Sequence, residues 1–165
     1  IVAKLQAFRQ QNPNQAWLAG RGWDQNAWEV KEFPTKGTLD KLFPDVPVFL
    51  TRVDGHAALV NQKAFDLAGV KSDAKVSGGL VDIKNGKLTG ILIDNAVDLV
   101  SNAIPQLSKE EQSKALLEAQ KQCFAVGLTS VVDAGLNRPN IELINEMQGE
   151  AIENEGIRYG ERYQR

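Results

Sequence analysis

The chain holds one cysteine and one histidine among its 165 residues. A single thiol, Cys123, cannot form an internal disulfide and excludes a multi-thiolate zinc site. Set within ALLEAQKQCFAVG, it reads as a small core residue rather than a nucleophile. One imidazole, His56, cannot build the several-histidine ligand set that hydrolytic zinc sites commonly use, so no metal ligand is assigned and none is expected to be held by these residues alone. No apolar run approaches the roughly 18 residues that span a bilayer, and no signal peptide is evident, which argues against a membrane partner. The net charge is only −2 and no basic stripe exists, so a nucleic-acid partner is not expected. Gly20, Gly22, Gly78 and Gly79 fit neither GxGxxG nor GxxxxGK[ST], and no GxSxG elbow occurs. The first residue is isoleucine, which raises the expectation of a piece of a longer product. A cytoplasmic setting is the default for so few thiols.

What is present is ordinary for a globular core: 42% hydrophobic and 24% charged residues, in a length that suits about one domain. Val2, Leu5 and Phe8 recur at helical spacing before Asn12-Pro13-Asn14 stops the run. WLAGRGW reads as a short strand entering a loop at Asp24, residues 27–33 are ambiguous, and residues 38–43 give one helical turn ended by Pro44. PVFLTRV (47–53) is a strong strand signal. Residues 61–70 form a short helix with Asn61 as N-cap and Gly69 as its stop. Residues 79–93 form a hairpin turning at Asn85-Gly86, and 95–104 are expected to be helical. Ser108 and Glu111 make a capping box for a long helix, whose apolar face holds Leu116, Ala119, Cys123 and Phe124 and which ends at Gly127. LTSVVDA (128–134) is then expected to be a buried strand of parallel-sheet type, followed by a helix over 140–147.

This order is a mixed α/β (α+β) pattern. The hairpin and strand 47–53 are expected to form a small mixed sheet, covered by helices 61–69 and 108–126.

The one histidine stands in LTRVDGHAALVN, where an apolar strand ends in Asp54, Gly55 and His56, with Arg52 just before. Such a histidine is either a hydrogen-bonded structural residue or a proton-handling group, and sequence leaves both open. Asp133 ends the expected buried strand; in parallel α/β folds such positions face the ligand site, although a turn acceptor is an equal alternative. Trp17, Trp23 and Trp28 are core or lid residues, or else a substrate wall.

Four stretches carry a resemblance: AWLAGRGWDQNAW, FPTKGTLDKLFPDVPVFLTRVDGHAALVNQKAFDLAGV, GGLVDIKNGKLTGILIDNA and GLTSVVDAG. Together, over about residues 16–135, the chain resembles amidohydrolase family 3. This is the branch of the metal-dependent amidohydrolase superfamily that includes N-substituted formamide deformylases. The resemblance implies a (β/α)8 barrel enzyme beside a small β-rich domain, hydrolysing non-peptide, amide-like C–N bonds of small molecules with water activated by a divalent metal, zinc by expectation. It also implies that the family's His-x-His motif lies upstream of the matched region and its other ligands downstream.

On that reading the chain is an internal segment of the barrel with an inserted subdomain. Residues 1–36 belong to an early barrel region, 37–107 to an inserted mixed β subdomain, 108–148 to a barrel helix–strand–helix unit, and 149–165 to a tail without fixed order. Trp23 and Asp24 match the GWD element. Arg52, Asp54, His56 and Asn61 match R-x-DGHA-x-x-x-N. Asp133 matches the acid at a barrel strand end, with Val132 where many members carry histidine. The resemblance thus implies His56, Asp54 and Asp133 as catalytic candidates and Trp23, Asp24, Arg52 and Asn61 as substrate-binding ones. The chain alone is expected to be inactive and to self-associate through surfaces that a whole barrel would cover. Alternatives are a non-catalytic binding or assembly module derived from such an enzyme, or a small metal-free hydrolase built on His56.

Overall fold

In the computed structural model, which describes residues 1–155, the chain divides after Pro105 into two units. The first is built on one five-stranded sheet, ordered β1-β2-β3-β5-β4. Its strands are β1 (Leu18–Trp23), β2 (Val48–Arg52), β3 (Ala57–Val60), β4 (Gly79–Lys84) and β5 (Lys87–Asp94). β1 and β2 run parallel, and the remaining neighbours are antiparallel. Helix α1 (Val2–Gln11) precedes β1, a 3-10 turn (Gln25–Ala27) follows it, and α2 (Gly37–Leu42) leads into β2. The short helices α3 (Gln62–Ala68) and α4 (Asp98–Ser101) complete the unit.

Both faces of the sheet are covered. Because successive side chains alternate between faces, Val48 and Leu50 join Leu5, Leu39, Phe43, Leu59 and Ile91 on one side. Phe49, Val60 and Leu92 join Phe65, Ala64 and Val100 on the other. β3, sequence AALV, is buried along its whole length, so it carries no polar–apolar alternation and leaves no strand signal in the sequence. The mixed sheet, the helix capped by Asn61 and the hairpin all form as expected. Asn85 and Gly86 both take positive φ, +52° and +72°, as a type I′ turn requires. Of the helix expected over 95–104, only Asp98–Ser101 is α-helical.

β1, from the stretch assigned to an early barrel region, pairs with β2 from the stretch assigned to an insertion. The two stretches therefore share one unit.

The second unit contains α5 (Lys109–Ala125) and α6 (Arg138–Glu155). The capping box is formed: Ser108 Oγ accepts from Glu111 N–H at 3.2 Å, and Ser108 N–H donates to Glu111 Oε2 at 2.8 Å. Lys109 reaches Glu146 across the two helices at 2.6 Å. The buried strand expected at 128–134 is a correction: these residues form no strand, and Val131 and Val132 are 74% and 88% exposed. A strand exists only when a neighbour completes its ladder, and no strand is present among the described residues of this unit. Helix α6 continues to Glu155, so residues 149–155 of the expected tail are helical, while 156–165 lie outside the described residues.

Candidate functional site

Strand direction gathers the DGH element at one end of the sheet. β1 and β2 run parallel, so Trp23 and Arg52 finish side by side. β3 returns antiparallel and starts just after His56, and β5 runs antiparallel to β3 and ends at Asp94. Asp24, Arg52, Asp54, His56 and Asp94 therefore share this end, whereas Asp133 lies in the second unit.

The turn between β2 and β3 is closed by charge. Arg52 donates to Asp54 twice, Nε to Oδ1 at 2.8 Å and Nη2 to Oδ2 at 2.7 Å. This fork lowers the Asp54 carboxyl from 3.8 to about 2; desolvation opposes the shift and the His56 backbone N–H, 3.1 Å away, reinforces it. The same fork raises Arg52 above the ordinary guanidinium value. Arg52 also stacks over the Phe33 ring, 5.7 Å from its centroid. Arg21 caps the turn from outside, its Nη2 donating to the Val53 carbonyl at 3.0 Å.

His56 does not face Asp54 through its ring. Its Nδ1 lies 2.8 Å from Asp94 Oδ1, and the Asp94 N–H donates to the His56 carbonyl at 2.9 Å. Asp94 was absent from the sequence candidates. Finding it required the register that sets Ala57 opposite Ile93, and that register depends on β3, the strand without a pattern.

Two candidates for substrate contact are committed elsewhere. Asn61 is fully buried and makes four hydrogen bonds: its Oδ1 accepts from the Val48 and Ala64 N–H groups, and its Nδ2 donates to the Phe43 and Val46 carbonyls. No Asn61 atom is left for a ligand. Trp23 is buried against Trp28 and Phe33, and its indole N–H donates to the Leu50 carbonyl at 2.7 Å. Asp24 caps the 3-10 turn by accepting from Asn26 N–H at 2.9 Å, and Asp133 accepts from Gly135 N–H at 2.7 Å. Beside these, Gln25 carries a buried Oε1 without a partner among the described residues. A cleft of about 460 Å3, lined by Lys36, Asp66, Lys71 and Lys87 among others, opens at the opposite end of the sheet, where the hairpin turn meets α3.

A hydrolytic metal does not fit these residues. Among the described residues no group of three or more His, Cys, Asp or Glu side chains could hold an ion, and the one imidazole is engaged by a single carboxylate. Among the described residues no helix is long and apolar enough to cross a membrane.

Known proteins give the geometry its context. The chain is 42% identical over 131 residues to YtcJ of Bacillus subtilis (strain 168), which carries an amidohydrolase name; the match covers 78% of this chain and 25% of that protein. It is 38% identical over 122 residues to the protein LONG AFTER FAR-RED 3 of Arabidopsis thaliana, covering 73% of this chain and 21% of the relative. It is 28% identical over 137 residues to the N-substituted formamide deformylase of Arthrobacter pascens, covering 79% and 25%. A solved structure of an uncharacterized metal-dependent hydrolase from Pyrococcus furiosus superposes with a TM-score of 0.53 at 26% identity, covering 90% of this chain and 29% of that one. The Pyrococcus horikoshii OT3 counterpart gives 0.54 at 24% identity, covering 89% and 29%, a likeness of fold. The chain thus spans about a quarter of the length of the curated relatives it matches. The family model described as the amidohydrolase family matches residues 1–158, and the chain belongs to that family.

Proposed function

We propose that this chain is a segment of a metal-dependent hydrolase that cleaves amide-like, non-peptide C–N bonds in small molecules. Within it, the chain builds one wall of the substrate pocket, and the metal is held by residues outside it. The reading is supported above all by a family match over residues 1–158 in a chain that spans about a quarter of its relatives. In the parent protein a divalent ion, zinc on the usual chemistry, would be held by residues outside this chain and would activate the attacking water. Trp23 ties β1 to β2, Asn61 fastens the start of β2 at the other end of the sheet, the Arg52–Asp54 fork rigidifies the turn, and His56, exposed beside it, meets the substrate. Asp24 lies on the same rim.

The fold proposal is a barrel segment: unit 1 as an accessory β-rich body, and residues 108–148 as a helix–strand–helix of the barrel whose strand, 128–134, forms only beside its neighbours. Asp133, at the end of that stretch, remains the catalytic candidate of this second unit. The isolated chain is inactive and self-associates through the exposed 128–134 segment; its setting is cytoplasmic.

The test compares two proteins. The 165-residue chain and a protein extended to the relatives' full length are assayed on N-substituted formamides and other small amides, with metal content measured on both. Hydrolysis and stoichiometric metal only in the longer protein are expected. Metal-free turnover by the short chain, lost in His56→Ala, would overturn the reading in favour of a small self-sufficient hydrolase.

A further inference from the structure

The contact between His56 and Asp94 is set by the backbone as well as by the side chains. The pair continues the β3–β5 ladder one step beyond Ala57–Ile93, with the Asp94 N–H on the His56 carbonyl at 2.9 Å and Nδ1 on Oδ1 at 2.8 Å. Asp94 takes a left-handed conformation, φ +49°, which costs a non-glycine residue on the order of 1 kcal/mol. The next turn holds it there. Asn95 donates from Nδ2 to the Ser77 carbonyl at 2.8 Å. Gly79 packs so closely on the Ala96 N–H and the Ile93 carbonyl that no Cβ would fit.

A carboxylate can only accept, so the Nδ1 that faces it must carry hydrogen. In the neutral ring the lone pair then lies on Nε2. The side chain of His56 is 70% exposed, and no group among the described residues bonds Nε2. Asp54, the carboxylate adjacent in sequence, has both oxygens turned to Arg52.

We propose that Asp94 is the positioning residue of His56: it fixes the Nδ1–H tautomer and leaves Nε2 as a hydrogen-bond acceptor for a ligand that donates N–H, such as a small amide or amine. The ligand class rests on the function proposed above; the tautomer does not.

His56 is the only histidine, so a long-range 1H–15N spectrum of the 165-residue chain contains a single imidazole. In the neutral ring the two nitrogens are expected to separate fully, Nδ1 at a protonated shift and Nε2 at an unprotonated one. Asp94→Ala collapses that separation toward the mixture of free imidazole, while Asp54→Asn leaves it unchanged. A wild-type ring protonated on Nε2, averaged shifts in the wild type, or an Asp94→Ala spectrum identical to wild type would each overturn the inference. The wild-type spectrum decides even if a variant fails to fold. In the full-length protein, titration with a small formamide is expected to shift Nε2 and not Nδ1; a shift on Nδ1 alone overturns the ligand assignment. A fixed tautomer in a protein that hydrolyses no amide would refute the proposed function and leave the role of Asp94 intact.

Discussion

Arg52 and Asp54 grip each other through two parallel hydrogen bonds, 2.8 and 2.7 Å, across a single intervening residue. The fork is local, so its effect should be readable at Asp54 itself. The folded-state value, about 2, lies below the ordinary 3.8, so the folded chain binds fewer protons than the unfolded one in that range. The contribution to stability is therefore fully present above pH 3.8 and is lost as pH falls through about 2. Carboxyl carbon titration of Asp54 is expected to show a midpoint near 2 in the wild type and a return toward 3.8 in Arg52→Gln. A midpoint unmoved by that substitution would remove the fork as the cause.

Asn61 carries a heavier structural role. Truncation to alanine orphans the Val48 and Ala64 N–H groups and the Phe43 and Val46 carbonyls at once. Each buried group left unsatisfied costs about 1–3 kcal/mol, so Asn61→Ala is expected to destabilise the first unit by about 3 kcal/mol or more. All three tryptophans lie within residues 1–105, so tryptophan fluorescence during urea unfolding follows this unit alone. A loss below about 1 kcal/mol would mean that water replaces the amide.

These two residues mark where sequence was legible. Asn61 was readable as an N-cap because capping is a three-residue signal, and the same holds for Ser108–Glu111 and for Asn85-Gly86 in the hairpin. Its further bonds to Val48, Phe43 and Val46 were not readable, since they join segments 13–18 residues apart. β3 was hidden because burial on both faces erases alternation, and with it went the register that brings Asp94 to His56. The 128–134 segment failed in the opposite sense. Its composition suits a strand, but pairing is a property of neighbours, and none is present among the described residues of its unit.

Gly79 links the hairpin to the His56–Asp94 contact. A methyl group there would meet the Ile93 carbonyl at 2.8 Å and the Ala96 N–H more closely still, and neither is a flexible side-chain tip. Gly79→Ala is expected to cost about 1–3 kcal/mol by urea unfolding and to loosen the turn that holds Asp94. The nitrogen separation of the His56 ring should narrow in the same variant. Full stability together with an unchanged imidazole spectrum would show that the turn can shift at no cost.

The run that follows α5 leaves its apolar side chains exposed. Val131 and Val132 are β-branched, adjacent and mostly in water, and the run LTSVVDA holds a single charge, on Asp133. Such a segment is a template for pairing with its copy on another chain. Sedimentation of the 165-residue chain is accordingly expected to show concentration-dependent association. Val132→Lys should reduce it by placing like charges opposite each other in any paired copy, without changing the helical content seen by circular dichroism. Association of the variant equal to wild type would move the contact elsewhere on the surface. A wild-type chain that stays monomeric would show that these exposed valines do not pair at all.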